Sequence, residues 1–64
     1  MAQEELIHWA AYNDLPEVLE VYHAKGASLT KLDLRGATPI DTAVLNKSYR
    51  AFKYLLDLGY LPNP

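Results

Sequence analysis

The chain has 64 residues, half of them hydrophobic and 22% charged, with a formal net charge of −2, the profile of one small globular domain and not of a disordered segment. A pI near 5.5 excludes binding to nucleic acid or anionic membrane by bulk electrostatics, and the absence of cysteine excludes a disulfide staple and a thiolate metal site, in keeping with a reducing compartment. No stretch approaches the roughly 20 apolar residues of a membrane span, and the acidic opening MAQEEL lacks the apolar segment of a secretory signal, so a soluble cytoplasmic protein is expected.

In chain order, Ile7, Ala10 and Ala11 recur at i, i+3, i+4 and predict a first short helix with one inward face. At about 100° per residue, Trp9 and Tyr12 point the other way. Asn13-Asp14-Leu15-Pro16 interrupts the pattern. A second, more apolar helix is expected over residues 17–25, with Val18, Leu19, Val21 and Tyr22. It stops at Gly26, where a left-handed residue closes a helix without a Cβ penalty. Residues 31–37 read as a turn or hairpin tip, with Gly36 free to take the positive φ that a tight turn needs. Leu32 and Leu34 flank Asp33 where polar residues belong at an exposed tip; strand pairing or a contact surface would account for them.

Thr38-Pro39 is a strong helix start. The Thr38 hydroxyl can accept a first-turn N–H, and a proline at the first helical position lacks only an N–H that has no partner there. Asp41 can reach back to the Thr38 amide as a short variant of a capping box, and its charge suits the helix N-terminus. The helix expected over residues 39–46 turns Ile40, Ala43 and Val44 inward; Thr42 and Leu45 fall at the positions of Trp9 and Tyr12. After a break at Asn46-Lys47-Ser48, a fourth helix over residues 49–58 carries Ala51, Phe52, Tyr54, Leu55 and Leu56 and stops at Gly59. Pro62 and Pro64 oppose a further hairpin ladder, which reads as an ending.

The two helix pairs superpose at an offset of 33 residues: Ile7 on Ile40, Ala10 on Ala43, Asn13 on Asn46, Gly26 on Gly59. Core pair falls on core pair and glycine stop on glycine stop, and a 33-residue helix–turn–helix period is that of ankyrin repeats. "GATPIDTAV" resembles the ankyrin G-x-T-P-L-H-x-A-A signature, with Ile40 for the leucine, Asp41 for the histidine and Val44 for the last alanine. "HWAAYNDLPEVLEVYHAKGASL" is similar to the stretch that follows it, including the H-x-A-A of His8–Ala11 and the G-A-x-hydrophobic of Gly26–Leu29.

The resemblance covers residues 5 to about 61. It implies an all-α domain spanning 1–64, with repeat 1 at about 4–31 and repeat 2 at about 32–64, stacked side by side and joined by one hairpin. It also implies that His8 tethers a loop or helix end by hydrogen bonding. Two departures matter. The glycine expected between paired helices is Asp14 in one copy and Lys47 in the other, so those turns are strained. The first copy has Glu5-Leu6 in place of Thr-Pro and no preceding hairpin, as suits a first repeat.

No reaction chemistry is expected. His8 and His23 with Asp41 or Asp57 lack the spacing of a metal set, Ser28 and Ser48 lie in turn-like segments without a catalytic histidine arrangement, and there is no glycine-rich phosphate loop. Neither a cofactor nor an enzymatic activity is therefore expected. The implied function is a module that binds another protein through its hairpin tip and the concave face of its first helices. The candidate contact residues are Leu32, Leu34, Arg35, Ala37 and Leu45, with Trp9, Tyr12 and Asn13 beside them; Trp and Tyr are the usual anchors of such contacts. The alternatives are packing of Trp9 between repeats, and a role as the ankyrin-repeat portion or regulatory subunit of a larger protein or membrane enzyme whose activity lies elsewhere.

Two expectations concern assembly. Glu17 and Glu20 align with Arg50 and Lys53 at the repeat offset, which sets opposite charges side by side on the convex surface. Repeat units bury their sides against neighbours, so two of them leave two sides uncovered. Association is expected, either as a homo-oligomer (most simply a twofold dimer through like ends) or with a partner protein over the open side. Head-to-tail stacking, the alternative, brings Arg50 and Lys53 against Glu17 and Glu20 of the next copy.

Overall fold

A computed structural model of the chain describes residues 3–62; Met1, Ala2, Asn63 and Pro64, the second closing proline among them, lie outside the described residues. Among the described residues there are four helices and no strand: α1 (Gln3–Tyr12), α2 (Pro16–Ala24), α3 (Pro39–Leu45) and α4 (Tyr49–Asp57). They agree with the expected elements to within a residue or so at the ends compared. α1 packs on α2 and α3 on α4 as hairpins, and the two hairpins stack with α1 against α3 and α2 against α4. Ile7, Ala10, Ala11, Leu19, Leu29, Ile40, Ala43, Ala51 and Leu55 form the buried core. The alanines let helix axes approach closely, and the branched side chains fill the space between them.

All four helices end in the same way. The residue after the C-cap is left-handed, and the next N–H bonds back to the carbonyl three residues inside the helix end: Leu15 to Ala10, Ala27 to Tyr22, Ser48 to Ala43 and Tyr60 to Leu55, at 2.8–3.1 Å. At the outer ends of α2 and α4 the left-handed residues are Gly26 and Gly59, as expected. Inside each hairpin they are Asp14 (φ 58°) and Lys47 (φ 56°), so the expected strain at these two departures is present.

The helix starts differ. α3 carries a full capping box: Thr38 Oγ1 accepts from the Asp41 N–H at 3.4 Å, and the Asp41 carboxylate accepts from the Thr38 N–H at 3.2 Å and from its hydroxyl at 2.9 Å. α4 has no side-chain cap from Ser48, its own N-cap residue. Asp14 of the other repeat supplies one instead, accepting the Ala51 N–H at 2.9 Å. Ser48 Oγ donates in return to the Tyr12 carbonyl at the end of α1, at 3.0 Å, and the Asn46 amide donates to the same carbonyl. The repeats thus finish each other's helices.

Three expectations are corrected. Val44, read as inward, is 45% exposed, and Thr42, read as outward like Trp9, is 6% exposed. The reason is position in the stack: Thr42 lies on the flank of α3 that packs on repeat 1, whereas Val44 lies on the flank away from it. On the convex surface Arg50 pairs with Glu17 at 2.6 Å, and the Glu17 carboxyl is held below its ordinary range first by its backbone N–H and then by Arg50. No ion pair links Glu20 to Lys53 among the described residues; both are exposed, and solvated side chains at such a site gain little by pairing.

These caps and turns make two predictions. Thr38→Ala removes the acceptor at the start of α3 and should cost about 1 kcal/mol, a fall of roughly 4–8 °C in the melting midpoint of a domain this size. Lys47→Gly should stabilise by about 1 kcal/mol, because it relieves a left-handed residue whose side chain makes no hydrogen bond or ion pair among the described residues. Asp14→Gly should give no such gain, because it also deletes the α4 cap, a loss of about 1 kcal/mol. Thermal melts of the three variants decide; equal gains from the two glycine variants would refute the capping role of Asp14.

Candidate functional site

One carboxylate organises the hairpin tip. Asp33 Oδ1 accepts the N–H groups of Arg35 at 2.8 Å and Ala37 at 2.9 Å. The Asp33 N–H donates to the Ala37 carbonyl at 2.9 Å, and its carbonyl accepts from Gly36 at 3.0 Å. An aspartate bonded to backbone two residues on is the ordinary chemistry of such turns, and Gly36 takes φ +80° to complete it. The Arg35 guanidinium lies 3.5 Å from Asp33 Oδ2. The Ala37 N–H above all, then the Arg35 N–H, its guanidinium and His8, hold the Asp33 carboxyl below its ordinary value.

His8 ties this tip to α1. Its Nε2 lies 2.9 Å from the Lys31 carbonyl, the tethering role expected from the sequence. A carbonyl only accepts, so the proton of this bond is assigned to Nε2. The other ring nitrogen of His8, Nδ1, and the Thr42 hydroxyl are buried and have no hydrogen-bond partner among the described residues.

Tip and helices enclose an open groove of about 650 Å³. Its walls are Glu5, His8, Trp9 and Tyr12 of α1, Leu32, Asp33, Leu34 and Arg35 of the tip, and Thr42 of α3. A smaller hollow of about 130 Å³ adjoins it, lined by Tyr12, Arg35, Thr42, Leu45 and Asn46. Apolar side chains dominate the exposed rim: Leu34 is fully exposed, Leu45 is 80% exposed, and Trp9 and Tyr12 are about half exposed. Nothing in a 64-residue core requires these side chains to face water.

Of the eight candidate residues, Trp9, Tyr12, Leu32, Leu34 and Arg35 line the groove, and Leu45 lines the adjoining hollow. Asn13 and Ala37 line neither. Asn13 donates to the Trp9 carbonyl at 2.9 Å and so closes the end of α1, while Ala37 is half-buried in the tip's hydrogen bonding. Glu5, His8, Asp33, Thr42 and Asn46 complete the walls without having been among the candidates. The repeat offset points to two of them, since Thr42 lies 33 residues after Trp9 and Asn46 lies 33 after Asn13.

The tip is expected to depend on pH in one direction. A carboxyl whose pKa is lowered by folding contributes its full stabilisation above the ordinary value of 3.8 and loses it as pH falls through the lower folded-state value. Protection of the Arg35 and Ala37 amides against hydrogen exchange should therefore fall on acidification below that range. Asp33→Ala should lower it severalfold already at neutral pH. Equal protection of both amides in the variant would show that the carboxylate does not hold the tip.

Among the described residues no helix is long and apolar enough to cross a membrane. No curated protein and no solved structure matches the chain significantly. A family model described as ankyrin repeats (many copies) matches residues 7–56, a span that takes in most of α1, the hairpin tip and nearly all of α4. The match runs through both stacked hairpins and the tip between them, and the protein belongs to the ankyrin repeat family.

Proposed function

We propose that this chain is a non-catalytic, cytoplasmic module that binds another protein through the groove between its hairpin tip and the exposed face of α1 and α3. Ankyrin repeats are generally protein–protein interaction modules. The observation that carries the reading here is the clustering of Trp9, Tyr12, Leu32 and Leu34 around one open groove with charged Glu5, Asp33 and Arg35 among its walls. Large apolar side chains with polar groups around them are the composition of a contact surface, and aromatic residues at its centre supply most of the binding energy. The tip is rigidly tied by Asp33 and His8, so little ordering entropy opposes binding.

Affinity capture with wild type and a Leu32→Glu/Leu34→Glu variant tests the reading. Both leucines are exposed, so the variant should keep its helix content by circular dichroism. Its affinity for a captured partner should fall by roughly 30-fold or more, the equivalent of about 1 kcal/mol lost at each of the two leucines. Trp9 emission should shift on binding in the wild type. Undiminished capture by the folded variant would remove the tip from the site.

A further inference from the structure

The burial pattern shows which residues sit at a repeat-to-repeat seam. Pro39, Thr42, Ala51 and Leu55 of repeat 2 are buried, whereas their counterparts 33 residues earlier, Leu6, Trp9, Val18 and Tyr22, are half-buried or exposed. Ala11 and Leu19 of repeat 1 are fully buried, whereas their counterparts Val44 and Phe52 are only partly covered. The first set faces a neighbour on one side, the second a neighbour on the other. The head of the molecule (Leu6, Trp9, Val18, Tyr22) and its tail (Val44, Phe52, joined by the exposed Leu56) are therefore the two halves of a seam that the chain closes internally only once.

Charge selects what covers them. Repeat 1 carries five acidic and two basic residues, and repeat 2 three acidic and four basic. At the repeat offset every position of one row is opposed: Asp14 to Lys47, Glu17 to Arg50, Glu20 to Lys53. The Glu17–Arg50 bond at 2.6 Å shows that side chains at this offset reach one another. A twofold contact through like ends sets Arg50 and Lys53 beside their own copies, or Glu17 and Glu20 beside theirs, and like charges oppose it. A head-to-tail contact continues the alternation instead. Arg50 then lies between Glu17 of its own chain and Glu17 of the next, Lys53 between two copies of Glu20, and Asp57 within one position of the neighbour's Lys25, whose ammonium rests 5.9 Å from the Tyr22 ring centre.

We propose that a second copy of this chain docks head to tail on the first, its acidic head on the basic tail, so that α1 and α2 of one copy occupy the place of a third repeat on the other. The intermolecular seam is weaker than the internal one. Asn13 stands where Asn46 reaches the Tyr12 carbonyl, but Leu15 replaces the Ser48 donor and Lys47 replaces the Asp14 acceptor. Association is thus reversible and depends on concentration. Because the contact is heterologous, mass grows stepwise unless the rotation closes a ring.

Sedimentation velocity on the whole chain from micromolar to millimolar concentration tests this. The average mass should climb from 7.2 kDa past that of two copies at low salt and fall back as salt screens the exposed charges. Lys53→Glu, at an exposed position with no ion pair among the described residues, should weaken association about fivefold. Leu6→Lys blocks the head and Val44→Lys the tail, and each variant alone should stay at the mass of one chain. Their equimolar mixture should form a species of two chains and nothing larger. Two results overturn the proposal: a wild type that stays at 7.2 kDa throughout, or either blocked variant dimerising alone, which is the behaviour of a like-ends contact. The wild-type salt series reads the outcome even if a blocked variant fails to fold.

Discussion

The register of the two repeats rests on an exchange of helix caps. The Tyr12 carbonyl at the end of α1 takes hydrogen bonds from Ser48 and Asn46 of repeat 2, and the Asp14 carboxylate one residue pair further on takes the Ala51 N–H at the start of α4. Each repeat leaves a helix end that its own residues do not satisfy, and each supplies what the other lacks. Separating the hairpins would expose or orphan these groups at a cost of about 1–3 kcal/mol for each one left buried and unpaired. Apolar contact alone would tolerate sliding of α1 along α3. Directional bonds from Ser48, Asn46 and Asp14 do not. The left-handed backbone at Asp14 belongs to the same device, because the turn that strains the residue also carries the carboxylate that caps α4.

With register fixed, the groove follows. α3 is held beside α1, so Thr42 joins Trp9 and Tyr12 in the wall of one groove, and the capping box at Thr38 fixes where the tip segment gives way to α3. The tip closes through Asp33 and is tied back to α1 by His8. None of these polar contacts uses the apolar side chains of the tip. Leu32 and Leu34 are thus left facing outward beside the two aromatic residues of α1. A small domain gains nothing in stability from such exposure.

Most of the architecture was legible from local chemistry. Recurrence of apolar residues at i, i+3, i+4 marks helices, Thr-Pro with Asp three residues on from the Thr marks the start of α3, and glycine marks the stops of α2 and α4; α2, α3 and α4 begin and end within a residue of the expected bounds. Asp14 and Lys47 at the glycine positions announced strained turns, and both residues are left-handed. Of the candidate site, six of the eight residues fall on the groove or its adjoining hollow. Asn13 and Ala37 do not, because a residue beside a turn is as readily consumed by the turn's own hydrogen bonds as offered to a partner.

The sequence by itself determined the helices, their stops, the tip and the repeat offset, since each of these is set by residues within a few positions of one another. Tertiary structure alone decided the sidedness of each helix. Val44 and Ala11 occupy equivalent positions, as do Thr42 and Trp9, yet one of each pair is buried and the other is not. Periodicity is blind to this difference, because a stacked repeat has two flanks with the same apolar pattern, and burial depends on whether a neighbour stands on that flank. The cap exchange was equally hidden. Ser48 and Asp14 are ordinary turn residues in a local reading, and only the approach of the second hairpin turns one toward the Tyr12 carbonyl and the other toward the Ala51 amide.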